Sequence, residues 1–164
     1  MTLLPFFQWL DASPVAETIR DRLWMFPAIL TAHVLGTMVL AGTIAVLDLR
    51  LLGRGLRRQA VSDVAEQLLP WTWTGFAVVA ASGIFLLCVQ AAKAYVSATF
   101  WVKIALLAAA GLNMAFFHLN VYRSVNVWDR APVTPLAARF NGGLSLFLWV
   151  AIIAAGHRLP YEFY

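Results

Sequence analysis

The sequence predicts an all-α integral membrane protein, a four-helix bundle with a short N-terminal interfacial helix. Of its 164 residues, 62% are hydrophobic and only 12% are charged, and the mean hydropathy is +0.76. Soluble domains carry about 25% charged residues. Four apolar stretches are long enough to cross a hydrocarbon core, which requires about 20 residues in a helix. Because the arginines flank apolar stretches, the net charge of +4 indicates cytoplasmic loops rather than nucleic-acid binding.

The N-terminal residues precede the first span and predict two short helices. Apolar side chains recur at helical spacing at Leu3, Phe6, Phe7 and Leu10. This pattern favours a helix that lies flat in the membrane interface. Ser13 and Pro14 then suit an N-cap and a first helical position, so we expect a brief helix through Arg22.

The first two spans are predicted at about residues 24–52 and 71–91. Gly53 and Gly55 stop the first span, and four arginines cluster at its end, namely Arg50, Arg54, Arg57 and Arg58. We expect Ser62 to cap a short helix that ends at Pro70, ahead of the second span.

The third and fourth spans are predicted at about residues 98–122 and 136–157, which completes a single membrane domain over residues 1–164. Lys103 is expected to extend towards the near interface. The link between these spans contains Arg123, Arg130 and Arg139. The bias of arginine towards the cytoplasm therefore predicts a bacterial inner-membrane protein with both termini on the periplasmic side.

Three histidines, at positions 33, 118 and 157, are the candidate metal ligands. Imidazoles on different helices can clamp a haem iron, and small residues leave room for the ring. We therefore expect His33 and His118 to bind haem b, with Gly36, Gly83 and Gly111 giving clearance. Against this pairing, His118 lies deeper along its span than His33, by about 16 Å at the helical rise of 1.5 Å per residue.

Two other interpretations of the same residues remain open. In the first, the histidines only form hydrogen bonds, His33 with Thr37 or a facing carbonyl, and His118 with Asn113 or Asn120. In the second, soft ligands bind copper. Its candidate residues are His33, His118, Met114 and Met38, with His157 as a further weak candidate.

The charged residues at the ends of the spans suggest structural roles. Asp48, Arg50 and Asp129 are expected to join a solvated ion-pair network with the arginines of the third loop. The lone Cys88 excludes a disulfide within one chain. No motif of a hydrolase, a metalloprotease or a nucleotide-binding loop occurs, so no catalytic residue is predicted.

A resemblance extends over nearly the whole chain from Trp24. Its most recognisable parts are His33, the run Asp48 to Gly53, Lys103, the pair Phe117 and His118, and the pair Trp128 and Asp129. The chain resembles a family of small bacterial four-helix membrane proteins whose biochemical role is unassigned. It also looks distantly like copper-resistance membrane proteins and small cytochrome b subunits. The closing segment differs from the family's usual pattern at His157.

These observations lead to three functional hypotheses. The first is a haem b protein that transfers electrons between a quinone or redox partner and another membrane-associated protein. The second is an accessory or assembly subunit without a cofactor, bound to a membrane protein partner or to further copies of itself. The third is a copper-handling membrane protein.

Overall fold

The computed structural model describes residues 2–131 and 133–163, and every regular element in these ranges is helical. Four helical segments are long and apolar enough to cross a membrane, namely Met25–Leu51, Val61–Val89, Ala98–Trp128 and Leu136–Glu162. The predicted all-α membrane bundle is therefore confirmed.

Two short helices, α1 (Leu4–Asp11) and α2 (Pro14–Asp21), precede the first span. Ser13 caps α2 as predicted, because its hydroxyl accepts a hydrogen bond from the N–H of Ala16 at 3.3 Å. Phe7 is buried against an aromatic cluster, and its ring centroid lies 5.3 Å from that of Tyr95. Phe6 is 54% exposed on the outer side of α1. The helix thus keeps an exposed apolar face, as an interfacial helix requires.

The first two spans, α3 (Met25–Leu51) and α4 (Val61–Val89), form the most extensive interface between helices. Small residues bring their backbones together. A Cβ added at Gly75 of α4 would lie 2.8 Å from the backbone nitrogen of Leu40, and one added at Gly36 would lie 2.8 Å from Val78 Cγ1. The hydroxyl oxygens of Thr72 and Thr43 also lie 2.9 Å apart across this interface. Such close contacts are the usual basis of helix association in lipid.

The predicted helix break at Pro70 is wrong, because α4 continues through it from Val61. A proline removes one backbone donor, and membrane helices tolerate this loss where side chains satisfy the freed groups. The carbonyl that loses its donor is that of Glu66, one turn before Pro70. The hydroxyls of Thr72 and Thr74 lie 3.0 and 2.8 Å from the carbonyls of Leu68 and Pro70 and add hydrogen bonds to the adjoining turns. The N-cap of α4 is Ala60, two residues before the predicted cap Ser62.

The third span changes its helical form before it ends. After α5 (Ala91–Val96), α6 runs over Ala98–Phe116 and continues as a π-helix, Phe117–Val121, then a short 3₁₀ turn and α7 (Val125–Trp128). The fourth span, α8 (Leu136–Glu162), extends beyond its predicted end and includes Pro160. A core at the end of the bundle near the α3–α4 loop joins these segments; it contains Leu51, Val61, Phe117, Val121, Val125, Trp128 and Ala138.

The four spans pack in the order α4, α3, α8 and α6. Helix α8 packs against both α3 and α6, whereas α4 and α6 make almost no close contacts over their described residues. None of the residues of α6 is buried. We refer to the gap between α4 and α6 as the α4–α6 cleft.

Both described ends of the chain lie at the same end of the bundle, where α5 joins α4 to α6. The ammonium of Lys93 donates to the carbonyl of Phe163 at 2.8 Å, and the hydroxyl of Ser97 donates to Glu162 at 2.6 Å. Helix α1 packs against α5. This arrangement agrees with an even number of membrane crossings.

We expect Gly75→Ala to weaken the fold, because the added methyl group meets backbone atoms of α3 that cannot rotate away. Overpacking of this kind costs about 1–3 kcal/mol. The matched control is Gly42→Ala on α3, where a Cβ meets nothing within 4 Å. The measurement is the free energy of unfolding in detergent micelles, and equal stability of the two variants would contradict this packing.

Candidate functional site in the bundle interior

His33 lies half-buried on α3 and its hydrogen bonding defines its tautomer. Its Nδ1 atom is 2.9 Å from the hydroxyl oxygen of Ser82 on α4. That hydroxyl donates its single proton to the carbonyl of Val78 at 2.5 Å. With its proton directed to Val78, the hydroxyl is placed to accept from Nδ1–H of a neutral imidazole, and in that tautomer Nε2 keeps its lone pair.

The sequence did not predict Ser82 as the partner of His33. The hydroxyl of Thr37, which the sequence suggested, donates instead to the backbone carbonyl of His33 at 2.8 Å. Ser82 lies on another span, 49 positions away. Nothing in the sequence around it indicates that this serine contacts a histidine. The contact depends on the register between α3 and α4.

The three glycines predicted to give clearance have different surroundings. A Cβ at Gly83 would lie 3.2 Å from His33 Cε1, so the imidazole itself occupies this space. The space at Gly36 is occupied by Val78 and Val79 of α4. Gly111 is exposed and meets nothing within 4 Å. Protein atoms therefore fill the α3–α4 interface beside Gly36 and Gly83.

Lys103 brings a second nitrogen to the level of His33. It is half-buried on α6, and its Nζ atom lies 3.4 Å from the position of a Cβ on Gly156 of α8. Counted from the starts of α6 and α3, Lys103 and His33 differ by three residues, or about 5 Å along the bundle. The prediction that Lys103 extends to the interface is wrong, since its amine contacts α8 within the bundle. Within residues 2–131 and 133–163 it has neither a hydrogen bond nor an ion pair.

The fold does not place His118 near His33. It lies in the π-helix, exposed, with Nδ1 3.0 Å from the carbonyl of Met114 on its own helix. It stands twelve residues further from its helix start than His33, which is about 18 Å. Its predicted partner Asn113 bonds instead to Asn141 of α8, whose Nδ2 lies 2.7 Å from the Oδ1 of Asn113.

The weaker metal candidates also lie apart. His157 is exposed near the end of α8, with its ring 5.8 Å from that of Tyr161. Met38 and Met114 are 64% and 55% exposed, on α3 and α6. In the part of the chain that the structure describes, no three His, Cys, Asp or Glu side chains form a cluster that could hold a metal ion. Ligation of haem or copper at the predicted residues stays a prediction.

The expected solvated network at Asp48 and Arg50 is wrong, because both side chains are buried. Asp48 is 4% exposed and Arg50 is 2% exposed. Arg50 donates to the backbone carbonyls of Gln59 and Asp129, at 2.9 and 3.3 Å. Asp48 faces Gly142 and Ser145 of α8. Helix α8 and the two adjoining loops cover the last turn of α3, and the sequence does not show this covering.

Asp129 links the loop after the third span to the start of α4 through hydrogen bonds. Its carboxylate accepts hydrogen bonds from the N–H and the hydroxyl of Ser62, at 2.8 and 2.6 Å. Burial raises the pKa of Asp129, but these hydrogen bonds outweigh it and hold the pKa below its ordinary value.

Comparison with known sequences places these residues within one family. The sequence profile of DUF6644, a family of unknown function, matches residues 6–162. The chain belongs to this family. The matched region includes all four spans, together with His33, Lys103 and Asp48. No curated protein and no solved structure matches the chain. The predicted resemblance to a functionally unassigned family is confirmed, whereas nothing in the comparisons supports copper-resistance proteins or cytochrome b subunits.

We expect Asp129→Asn to lower stability at neutral pH and to have little effect in strong acid. A carboxyl with a depressed pKa in the folded state stabilises above its unfolded pKa, and this contribution is lost as the pH falls through the folded pKa. For Asp129 the loss begins below about pH 4, the ordinary range for aspartate. The measurement is the unfolding temperature in detergent at pH 7 and at pH 3, with Asp63→Asn on the exposed face of α4 as control. A difference between wild type and variant that is independent of pH would contradict this role.

Proposed function

We propose that this protein binds haem b in the α4–α6 cleft and transfers electrons between a quinone or other redox partner and another membrane-associated protein. The observation that carries the proposal is the tautomer of His33. Its Nδ1–H is held by Ser82, so Nε2 is free to act as a ligand. A histidine that binds a metal usually donates its other N–H to a neighbouring acceptor in the same way.

The open side of the bundle is the part that fits a flat cofactor. A porphyrin cannot enter between α3 and α4, where Gly36 and Gly75 bring the backbones together. The α4–α6 cleft has no such packing, and α6 leaves all of its side chains at least partly exposed. A haem in the cleft would cover apolar surface of both helices.

Lys103 is the second nitrogen donor that the fold offers at this depth. A charged ammonium is costly in the membrane interior, whereas a neutral amine has a lone pair for a metal. Lys103 comes from α6, lies within about 5 Å of the level of His33 along the bundle, and lacks an acidic partner among the described residues. We therefore assign it the role that the sequence suggested for His118.

The side chains around His33 and Lys103 would orient these two ligands. Bound haem supplies one-electron transfer, with a potential that depends on its axial ligands and on burial. Ser82 orients the imidazole of His33 and prevents its rotation. Gly156 allows Lys103 to cross towards α8, because a side chain there would meet its Nζ and Cε atoms.

The distribution of charge supports a bacterial inner membrane with the α3–α4 loop in the cytoplasm. Arginines concentrate at that end of the bundle, in the loops after the first and third spans. The positive-inside rule then places both ends of the chain on the periplasmic side. An electron-transfer role would need a partner at one of these two surfaces.

The test is an absorbance spectrum of the purified protein, oxidised and then reduced with dithionite, after expression with haem available. We expect a Soret band that shifts on reduction and a sharp α band of the b type. His33→Ala is expected to abolish the bands, because it removes the oriented ligand. Lys103→Leu, which has no donor atom for iron, is expected to retain some haem with a spectrum typical of a lost axial ligand.

Two further histidine variants serve as matched controls. His118→Ala and His157→Ala are expected to keep the wild-type spectrum, since both side chains are exposed away from His33. Loss of the bands in His118→Ala but not in Lys103→Leu would favour the pair suggested by the sequence. A colourless wild-type protein, recovered folded and in full yield, would refute haem binding.

A cofactor-free accessory subunit is the second candidate, and the exposure of α6 favours it. A helix that buries none of its residues within the chain, as α6 does, offers an apolar face to another membrane protein. In that case the protein would be colourless, and changes of small residues on α6, such as Gly111→Leu, would release a co-purifying partner. Haem binding and such a partner compete for the same surface, so the spectrum decides between them.

A further inference from the structure

We propose that Asp48 is a proton-binding site, protonated inside the bundle at neutral pH and in exchange with water at the arginine-rich end. Asp48 is 4% exposed, and its Oδ2 atom has no hydrogen-bond partner among the described residues. The site lies at the opposite end of α3 from His33 and does not depend on haem.

An ionised carboxylate at this position would be poorly compensated. The hydroxyl of Ser145 on α8 is the polar side chain that approaches the carboxyl group. One hydroxyl cannot replace the water around a carboxylate, and a buried charge without further partners costs several kcal/mol. Protonation removes the charge and turns one oxygen into a donor.

The charged groups around this end of α3 do not neutralise Asp48. Arg50, two residues further along α3, directs its guanidinium to the carbonyls of Gln59 and Asp129. Arg139 on α8 is exposed, and on α4 the exposed Asp63 and Glu66 would add only like charge. The described residues form just two ion pairs, Arg20 with Asp11 and Arg158 with Glu162, and both lie at the other end of the bundle.

The geometry also favours a proton over a metal cation. Hard cations require about six oxygen ligands. Helices α3 and α8 touch here, since a Cβ on Gly142 would lie 3.1 Å from the backbone carbonyl oxygen of Asp48. This contact leaves no room for a hydrated ion, and the described residues near the carboxyl supply one carboxylate and one hydroxyl.

The site lies near the end of the bundle. Asp48 stands three residues before the end of α3, or about 5 Å from it. Two polar side chains lie further towards this end along the chain: Asn141, one turn from Ser145, bonds to Asn113, and the hydroxyl of Thr134 donates to the carbonyl of Leu51 at 2.5 Å. Over this short distance we expect the proton to exchange with water.

The experiment is infrared spectroscopy of the full-length protein in detergent or lipid nanodiscs. At pH 7 we expect the carbonyl stretch of a protonated carboxylic acid, on the high-frequency side of the amide I band, and a small downshift in D₂O. Asp48→Asn is expected to remove this band, and Asp63→Asn, which changes an exposed carboxylate, is expected to retain it. Absence of the band in wild type, or its persistence in Asp48→Asn, would overturn the proposal.

Two measurements keep the test valid if a variant folds poorly. First, the carbonyl band of the wild-type protein is expected to disappear as the pH is raised. A band whose intensity does not depend on pH and whose frequency does not shift in D₂O would disprove an exchanging site. Asp48→Asn is also expected to unfold at the wild-type temperature at pH 7, because the amide resembles the neutral acid. A large loss of stability at pH 7 would indicate that Asp48 is ionised instead.

Discussion

The close contact between α3 and α4 is the constraint on which the rest of the bundle depends. Gly36 and Gly75 allow the two backbones to touch, and this contact sets the register that places Ser82 opposite His33. Because α3 is occupied by α4 on one side and by α8 on another, α6 can pack only against α8. The open α4–α6 cleft is therefore a consequence of how tightly the first two spans associate.

Ionisable side chains occur at two levels of the bundle interior. His33, Ser82 and Lys103 lie towards the end that carries α1 and α5, whereas Asp48 lies towards the arginine-rich end. Along α8 the same face carries Ser145, then the buried Leu148 and Ile152, then Gly156 beside Lys103. A membrane protein that only packed its helices would not need charged groups at either level, because each is costly there.

The spans could be predicted from the sequence because apolar length alone determines them. The N-cap at Ser13 and the stop near Gly53 follow from local chemistry, and both are present, Gly53 with a positive φ of 68°. The continuation through Pro70 could not be predicted, since a proline removes only one helical hydrogen bond and the local sequence does not show whether the helix resumes beyond it.

The polar sites were predictable only in part. His33 stands out as an imidazole in an apolar run, but its partner depends on the register between two helices. Lys103 and Asp48 lie close enough to helix ends that solvation was the simpler expectation. Their burial is set by α8, the last span, through Gly156 and Gly142. No local pattern around residues 48 or 103 contains that information.

The π-helix at Phe117–Val121 gives the third span two independent faces. A π-turn holds more residues than an α-turn, and the 3₁₀ turn that follows it holds fewer. Before this change of helical form Asn113 bonds to α8, and beyond it Val121, Val125 and Trp128 join the core around Leu51. The irregular segment thus connects a half of the span that packs on one helix to a half that completes the core at the arginine-rich end.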